Sequence, residues 1–465
     1  MTGQSRKKRR SRRRRNRWLP VCLILAVLTG TAGFLYAKGI VPMPALLTQM
    51  VQTLTKDNTN DTSAGNSDKS AEEASTNIGN NGDKMEEIPT EGNNGDTVPE
   101  SSDPETTETE TTEPETTEPE PTEPETHYAV DAPDTLSIRQ ADPDVITLRF
   151  AGDILFDESY AIMASLLHRT GSSPDISGAF DSEMLSLMRG ADIFMLNNEF
   201  PYSRRGTPLQ GKQFTFRARP QYASLLKDMG ADIVGIANNH VNDHGREAML
   251  DTFDTLSGIG MPYVGAGHNL AEASRVQYFT NGQVKIGIVA ATQIERMGNP
   301  DTVGATENSP GVFRCMNPKA LIAKIQEAKE NCDCVILFVH WGTEGKNQTD
   351  SWQEEQAVQF AEAGADVIIG GHPHVLQKIV SVRGVPVVFS LGNYLFNSKT
   401  LDTGLAEVTL DAATGKVRGL RFIPATQSGC RTSRLTGAEQ ERVLQFLRDL
   451  SPGTSIDSEG NISFK

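Results

Sequence analysis

The sequence predicts an α/β protein, a sandwich of strands and covering helices that follows a long N-terminal extension. Strand-like apolar runs alternate with helix-like amphipathic runs from residue 145 onward, and several short strand-like runs follow one another toward the C-terminal end. Alternation indicates parallel strands, and consecutive short strands indicate antiparallel ones. Polar residues follow the apolar runs, at the ends of strands where α/β sheets build their sites.

The N-terminal segment predicts a membrane anchor. Residues 6–17 carry ten Lys or Arg and no acid, and residues 18–36 form an uncharged run of 19 residues. That run is about long enough to cross a bilayer as a helix, with the basic tail (1–17) in the cytoplasm and the remainder outside. A cleaved signal peptide is the alternative, but the run is long and a small-x-small cleavage site is missing near Gly33–Ala37. Because the basic tail directly precedes the apolar run, a role in setting membrane orientation explains its charge better than nucleic-acid binding does. No nucleic-acid partner is expected.

Residues 37–140 predict a disordered, acidic stalk. Between residues 51 and 126 there are 21 Asp or Glu, three Lys and no aromatic residue, and the end of this stretch repeats Thr, Glu and Pro. Such a composition cannot bury enough apolar surface to offset the entropy of ordering. The stalk and the basic tail contribute −18 and +10 to the net charge of −16, which leaves about −8 for the remainder. The globular part therefore has no long-range positive field for a polyanion.

One α/β domain is predicted over residues 141–428, followed by a C-terminal helix and tail at 429–465. The predicted strands are Val145–Ala151, Ile193–Leu196, Ile233–Ile236, Val284–Ala290, Val335–Val339, Val367–Ile369, Ile379–Val382, Val387–Ser390, Leu405–Leu410 and Val417–Phe422. The predicted helices are Asp181–Met188, Gln221–Met229, Arg246–Leu256, Pro318–Lys329, Ser351–Ala363 and Ala438–Asp449. The sequence leaves open whether one disulfide forms among the four cysteines after residue 300.

Six strand ends carry residues of metal-ligand or polar type. They are Gly152-Asp153, Asn198-Glu199, Asn238-Asn239-His240, His340-Trp341-Gly342, Gly371-His372-Pro373-His374 and Gly392-Asn393. Neutral imidazole together with carboxylate suits Zn, Mn, Fe and similar divalent ions. His372 and His374, two residues apart, would point to the same side of an extended segment.

Each of these residues also has a structural alternative. Asp153 could cap a turn, Asn239 could form a turn, and His340 could be a hydrogen-bonded core histidine. Taken singly, most favour the structural alternative, but the recurrence of the pattern at successive strand ends favours a joint metal site.

The motifs resemble those of a known family. A strand followed by GD at Asp153, N-x-E ending at Glu199, ANNH-x-x-D-x-G at Ala237–Gly245, HWG-x-E at His340–Glu344, GHPHV ending at Val375 and SLGN ending at Asn393 occur in the order found in CapA-type poly-γ-glutamate capsule synthesis proteins. As a set spanning about 280 residues they are specific. The family is similar to the calcineurin-like metallophosphoesterases, which implies a four-layer α/β/β/α sandwich that holds two metals.

The resemblance implies roles for single residues. Asp153 and His374 would bind a first metal. Asn239, His340 and His372 would bind a second, with Glu199 as the bridging carboxylate. His240, beside the substrate, would act as a general acid or oxyanion stabiliser, and His240 and Asn239 would be the catalytic residues. The chain departs from the phosphoesterase pattern at Leu155, where a histidine would stand, and at Asn198, so one or two divalent metal ions are expected.

Two functions compete. One is a metal-dependent hydrolase or transferase acting on an anionic cell-surface polymer such as poly-γ-glutamate, which the resemblance implies and the retained ligand set favours. The other is a non-catalytic component that binds or exports the polymer, together with other capsule synthesis components, which Leu155 favours. Either would be a single-pass membrane protein with its domain on the extracellular side.

Overall fold

The computed structural model describes residues 128–132, 135–138, 140–171, 173–295 and 302–465. Within these ranges no helix combines the length and the apolar character needed to cross a membrane. The predicted tail, transmembrane helix and most of the stalk lie outside the described residues.

Strands and helices alternate through the first half of the described chain, and strands dominate its end. The strands are β1 Tyr128–Ala132, β2 Thr135–Ile138, β3 Val145–Ile154, β4 Ile193–Asn198, β5 Ile233–Gly235, β6 Tyr263–Val264, β7 Ala266–Gly267, β8 Gln277–Thr280, β9 Lys285–Thr292, β10 Gly311–Val312, β11 Cys334–His340, β12 Val367–Gly371, β13 Ile379–Val382, β14 Val385–Val388, β15 Asn393–Leu395, β16 Leu401–Asp411, β17 Val417–Ser428, β18 Arg431–Arg434, β19 Thr454–Ile456 and β20 Asn461–Phe464. The α-helices are α1 Ala161–Thr170, α2 Ser182–Arg189, α3 Ser224–Met229, α4 Arg246–Gly258, α5 Leu270–Ala273, α6 Lys319–Asn331, α7 Ser351–Ala363 and α8 Gly437–Leu450.

Two large mixed sheets form the frame. The ten-stranded sheet runs β19-β20-β17-β16-β3-β4-β5-β6, with β15 paired to β3 and β18 to β17. The eight-stranded sheet runs β1-β2-β8-β9-β11-β12-β14-β13. Strands β3 to β6 are parallel to one another, as are β9, β11, β12 and β14. In each sheet the carboxyl ends of these parallel strands therefore lie along one edge.

Apolar residues divide into three clusters that define four layers. One cluster joins the two sheets and includes Phe150 of β3 and Ile288 of β9. A second lies on the other face of the ten-stranded sheet, where Phe194 packs with α1 to α4. A third lies on the outer face of the eight-stranded sheet, where Leu337 packs with α6 and α7. The order is thus helices, sheet, sheet, helices.

Local sequence explains the central elements. Strand β11 is apolar except for its last residue and is buried at every position, as expected for a parallel strand covered on both faces. Helix α7 begins with a capping box between Asp350 and Gln353 and ends at Gly364, which has φ 113°. The conformation at Gly364 suits glycine because it lacks a Cβ.

Two predicted boundaries need correction. Strand β2 lies inside the range assigned to the stalk and pairs in parallel with β8, because Leu136 and Ile138 alternate with less buried residues and cover the sheet core. The segment 429–465 is part of the same fold, because Val443 and Leu447 of α8 join the inter-sheet core and β20 pairs with β17.

Two smaller expectations also change, and the question of a disulfide is answered. Gly152-Asp153 is not a turn: β3 continues to Ile154 through a register shift. The predicted helix at 221–229 divides into a 3₁₀ turn and α3. The four described cysteines, Cys315, Cys332, Cys334 and Cys430, are all free.

Candidate metal centre

The ten-stranded sheet brings two carboxylates to the edge where its parallel strands end. Asp153 lies near the end of β3 and Glu199 directly follows β4, and neither is exposed. Gly152 allows this arrangement, because a Cβ there would lie 1.8 Å from the carbonyl oxygen of Gly392, which accepts a hydrogen bond from the backbone N–H of Asp153. The GD and SLGN motifs are therefore neighbours in space.

A chain of side-chain amides ties the three strand ends together. Asn197 Nδ2 donates to Asp153 Oδ1 at 2.7 Å and lies 3.2 Å from Glu199 Oε2. Asn238 Nδ2 in turn donates to Asn197 Oδ1 at 3.0 Å. The amides orient the carboxylates and leave Asn239 free to face the other sheet, where its Oδ1 lies 2.9 Å from His340 Nε2.

The eight-stranded sheet brings three histidines to the same place. His340 ends β11, and His372 and His374 follow β12. His372 Nδ1 lies 3.1 Å from His340 Nε2, and His374 Nδ1 lies 3.0 Å from Asp153 Oδ2. The expectation of an extended segment is wrong here: His372 and His374 have φ 93° and 60°. Both rings nevertheless reach the cluster, and backbone strain of this kind concentrates at functional sites.

Glu199 Oε1 lies at the centre of the histidines. It is 3.4 Å from His340 Nε2, 3.9 Å from His240 Nε2 and 4.0 Å from His374 Nε2. It is buried and accepts no hydrogen bond from any described residue. An unpaired buried acceptor costs on the order of 1–3 kcal/mol. A cation bound between Glu199 Oε1 and the neighbouring imidazole nitrogens would remove that cost.

The donor set fits a divalent metal ion. Ligand atoms of Glu199, His340 and His372 all lie within 4.8 Å of one another, as do those of Asp153, Glu199 and His374. A third group joins His372 and His374 to Glu344. All six residues predicted as ligands (Asp153, Glu199, Asn239, His340, His372 and His374) therefore meet at one place, with the oxygen and imidazole ligands that transition metals use.

Burial and neighbouring charges shift the pKa values of these groups in different directions. Burial lowers the pKa of His340 to about 3 and holds that of His372 well below its usual value, so both are neutral and able to ligate. Burial and the neighbouring Asp153 charge raise the pKa of Glu199 well above its usual value. Burial would lower the pKa of His374, but the Glu199 and Asp153 carboxylates outweigh it and raise it to about 10.

His240 lies beside the cluster in its own hydrogen-bonded arrangement. Its Nδ1 is 2.6 Å from Asp243 Oδ2, and its ring packs against Phe216, tilted by 33° with centroids 4.3 Å apart. Lys212 Nζ lies 2.5 Å from Asp243 Oδ1 and also donates to the backbone oxygen of Asn239. Burial lowers the pKa of His240 well below its usual value, so the ring is neutral, with Nδ1–H donating to Asp243 and Nε2 directed at the cluster.

The sequence prediction missed four residues of the site. Asn197, Asp243 and Glu344 stand inside the motifs that carried the resemblance, so a role for each was within reach. Lys212 gave no local signal, because it reaches Asp243 from a loop 31 residues earlier in the chain. Leu155, where the phosphoesterase pattern has a histidine, is fully buried in the apolar cluster between the ten-stranded sheet and α1 to α4.

Comparison with known proteins gives a consistent set of relatives. The family described as bacterial capsule synthesis protein PGA_cap matches residues 147–398, more than half of the chain. The PGA biosynthesis protein CapA of Bacillus subtilis is 29% identical over 282 residues, which are 60% of this chain and 71% of that protein. The capsule biosynthesis protein CapA of Bacillus anthracis is 26% identical over 329 residues, which are 68% of this chain and 76% of that protein.

Among solved structures, one described as a novel phosphatase of Mycoplasma pneumoniae covers 62% of this chain and 95% of its own. It is 16% identical, with a TM-score of 0.40. Nothing about the chemistry follows from a likeness at that level.

Proposed function

The chain belongs to the PGA_cap family of bacterial capsule synthesis proteins, as the motifs predicted, and on that premise we propose that it is a metal-dependent hydrolase or transferase acting on an anionic cell-surface polymer. The family supports a role in capsule polymer synthesis. The proposal adds the reaction class, the metal and the assignment of the domain to the calcineurin-like metallophosphoesterases.

One observation carries the proposal: Glu199 Oε1 is buried without a hydrogen-bond donor, surrounded by His340, His240 and His374. A carboxyl group that served only structure would have both oxygens hydrogen-bonded, because an unpaired buried polar atom is costly. A divalent cation held by Glu199 and the predicted ligands would supply Lewis-acid polarisation of a substrate oxygen.

The protein's own residues supply the proton chemistry. Asp243 accepts the Nδ1 proton of His240, which leaves Nε2 to take or return a proton at the substrate. Lys212 fixes Asp243 from the opposite side. Phe216 packs on the His240 ring and restricts its orientation. These contacts favour His240 as the general acid or base, and Asn239 as a residue that binds metal through its amide oxygen.

A second candidate is a non-catalytic component that binds or exports the polymer. Leu155 favours it, because this buried apolar residue stands where the phosphoesterase pattern has a histidine. The half of the site formed by Asp153 and His374 therefore lacks that additional ligand. A single metal held by the Glu199, His340 and His372 group would be compatible with either candidate.

Elemental analysis of the protein purified without chelator separates the two candidates. We expect one or two equivalents of Mn, Fe, Zn or a similar ion, and hydrolysis of the polymer or of a generic phosphodiester. His372→Ala should lose metal, whereas His240→Ala should keep metal and lose turnover. Less than about one-tenth of an equivalent, with none gained on reconstitution, would contradict the enzyme. Full metal occupancy without turnover of any polymer would favour the binding component.

We further propose that residues 18–36 anchor the protein in the cell membrane with the domain outside, supported by the basic residues that precede them. Protease added to intact protoplasts should remove the domain. A protected domain would show that the orientation is wrong.

A further inference from the structure

A polar cleft lies beside His240, the proposed general acid or base. It holds about 530 Å³, a volume within the range of ligand pockets, and is lined in part by Arg204, Arg217, Arg219, Asp157 and Glu158. With histidine neutral, these three cations and two acids give the lining a net charge of +1. The cleft is thus locally cationic on a globular part that is acidic overall.

Two of the arginines keep their charge available. Among the described residues, Arg219 pairs with Glu158, whereas neither Arg204 nor Arg217 lies within 4.0 Å of a carboxylate oxygen. Arg204 donates to the side-chain oxygen of Gln221, and Arg217 donates to the backbone oxygen of Arg205. Both bonds are to neutral groups, so an anionic ligand would be the first anion to accept a hydrogen bond from either guanidinium.

A buried polar atom gives a second reason to expect a ligand. His244 also lines the cleft and is only 7% exposed, yet its Nδ1 has no hydrogen-bond partner among the described residues. Leaving such an atom without a partner costs on the order of 1–3 kcal/mol. A ligand in the cleft with its own hydrogen-bonding groups can supply the partner.

The cleft adjoins the proposed chemistry through one aromatic residue. Thr215 and Arg217 line the cleft, and between them Phe216 turns its ring onto His240, 4.3 Å away. Phe216 also contacts Tyr160, a further lining residue, with ring centroids 5.1 Å apart. A chain held in the cleft would therefore lie next to the residue that handles the proton.

We infer that this cleft is a subsite for the carboxylate groups of an acidic polymer, with Arg204 and Arg217 each binding one carboxylate. The inference rests on the proposed function and names the substrate class. Guanidinium groups match carboxylates in a two-point geometry. Asp157 and Glu158 in the same lining would repel a phosphomonoester, with its second negative charge, more strongly than a carboxylate.

Binding, measured separately from turnover, tests the subsite. The full chain is titrated with a fluorescently labelled poly-γ-glutamate chain, and anisotropy is read at fixed salt. Arg204→Gln combined with Arg217→Gln should weaken binding at least tenfold, with an unchanged melting temperature. Arg205→Gln is the control for loss of one neighbouring positive charge: Arg205 adjoins Arg204 in sequence, but it pairs with Asp251 and does not line the cleft. It should change affinity less than twofold.

A chelator control and one competitor complete the experiment. In chelator the double variant should still bind the polymer at least tenfold more weakly than wild type, so that failure of the metal chemistry remains distinct from failure of the subsite. A chain of phosphoserine residues, whose phosphate groups carry about 1.5–2 negative charges each, should compete poorly. Equal losses in the Arg205 control and the double variant, or stronger binding of the phosphate polymer, would overturn the inference.

Discussion

The ten-stranded sheet brings oxygen ligands to the site, whereas the eight-stranded sheet brings imidazoles. Asp153 lies near the end of β3, and Glu199 and Asn239 follow β4 and β5. His340 ends β11, and His372 and His374 follow β12. Neither sheet holds a complete set of ligands. The site exists only because the two sheets pack face to face with their parallel strands ending at a common edge, so packing between the sheets and metal binding should be linked.

The largest expected effect comes from removing the central oxygen of the ten-stranded sheet. Glu199→Gln should reduce metal content to below one-tenth of wild type. The metal-free variant should nevertheless keep the stability of metal-free wild type to within about 1 kcal/mol, because burial raises the pKa of Glu199 and leaves that side chain largely neutral without metal, so one neutral group replaces another. Elemental analysis and urea unfolding in chelator measure both quantities. A variant less stable than wild type in chelator would show that Glu199 is paired in the metal-free protein.

The next effect separates the two faces of the ten-stranded sheet. Phe150 faces the other sheet and Phe194 faces the helices, and both are fully buried. Replacing either with Ala should cost about 3–5 kcal/mol in unfolding free energy. Only Phe150→Ala should also weaken metal affinity, since it loosens the contact that joins the two sets of ligands. Equal metal affinities in the two variants would contradict the link between packing and binding.

A smaller effect concerns the edge of the eight-stranded sheet. A chain that begins at Ala141 lacks β2 and with it the buried side chains of Leu136 and Ile138. Burying one such side chain contributes about 1.5–3 kcal/mol, so this chain should unfold several degrees below one that begins at Tyr128. Metal content should be the same in both, because β2 lies at the far side of the sheet from β12. Identical melting temperatures would return the stalk boundary to residue 140.

The smallest effect lies at the end of the ten-stranded sheet remote from the site. Burial raises the pKa of Asp232, which precedes β5 and accepts the backbone N–H of Phe194 at 2.8 Å, to about 8. The folded state then binds a proton that the unfolded state releases near pH 4, so this group's contribution to stability falls as pH rises from about 4 to about 8.

Asp232→Asn removes that titration and can keep the hydrogen bond. Its stability relative to wild type should increase by about 1 kcal/mol or more from pH 5 to pH 8, with metal content unchanged. Urea unfolding across that range measures the difference. Parallel pH profiles for the two proteins would mean that Asp232 is ionised when folded.

The sequence by itself determined the alternation of strands and helices, the family and the residues at the strand ends. These follow from local patterns: an apolar run such as Val335–Val339 reads as a buried strand, and the residue after it marks the edge of the sheet. Because parallel strands end together, the prediction that distant ligands converge needed only the strand ends. The motif resemblance then implied which residues would share a metal.

Only the tertiary structure decided which sheet each ligand comes from, and what holds it. Lys212 reaches Asp243 from a loop, and the backbone at His372 and His374 adopts positive φ, which neither residue's local sequence indicates. The division into two sheets depends on pairings such as β2 with β8, which join residues more than a hundred positions apart. Which strands pair depends on how the apolar faces of segments distant in sequence pack against one another. A local sequence pattern does not contain that information.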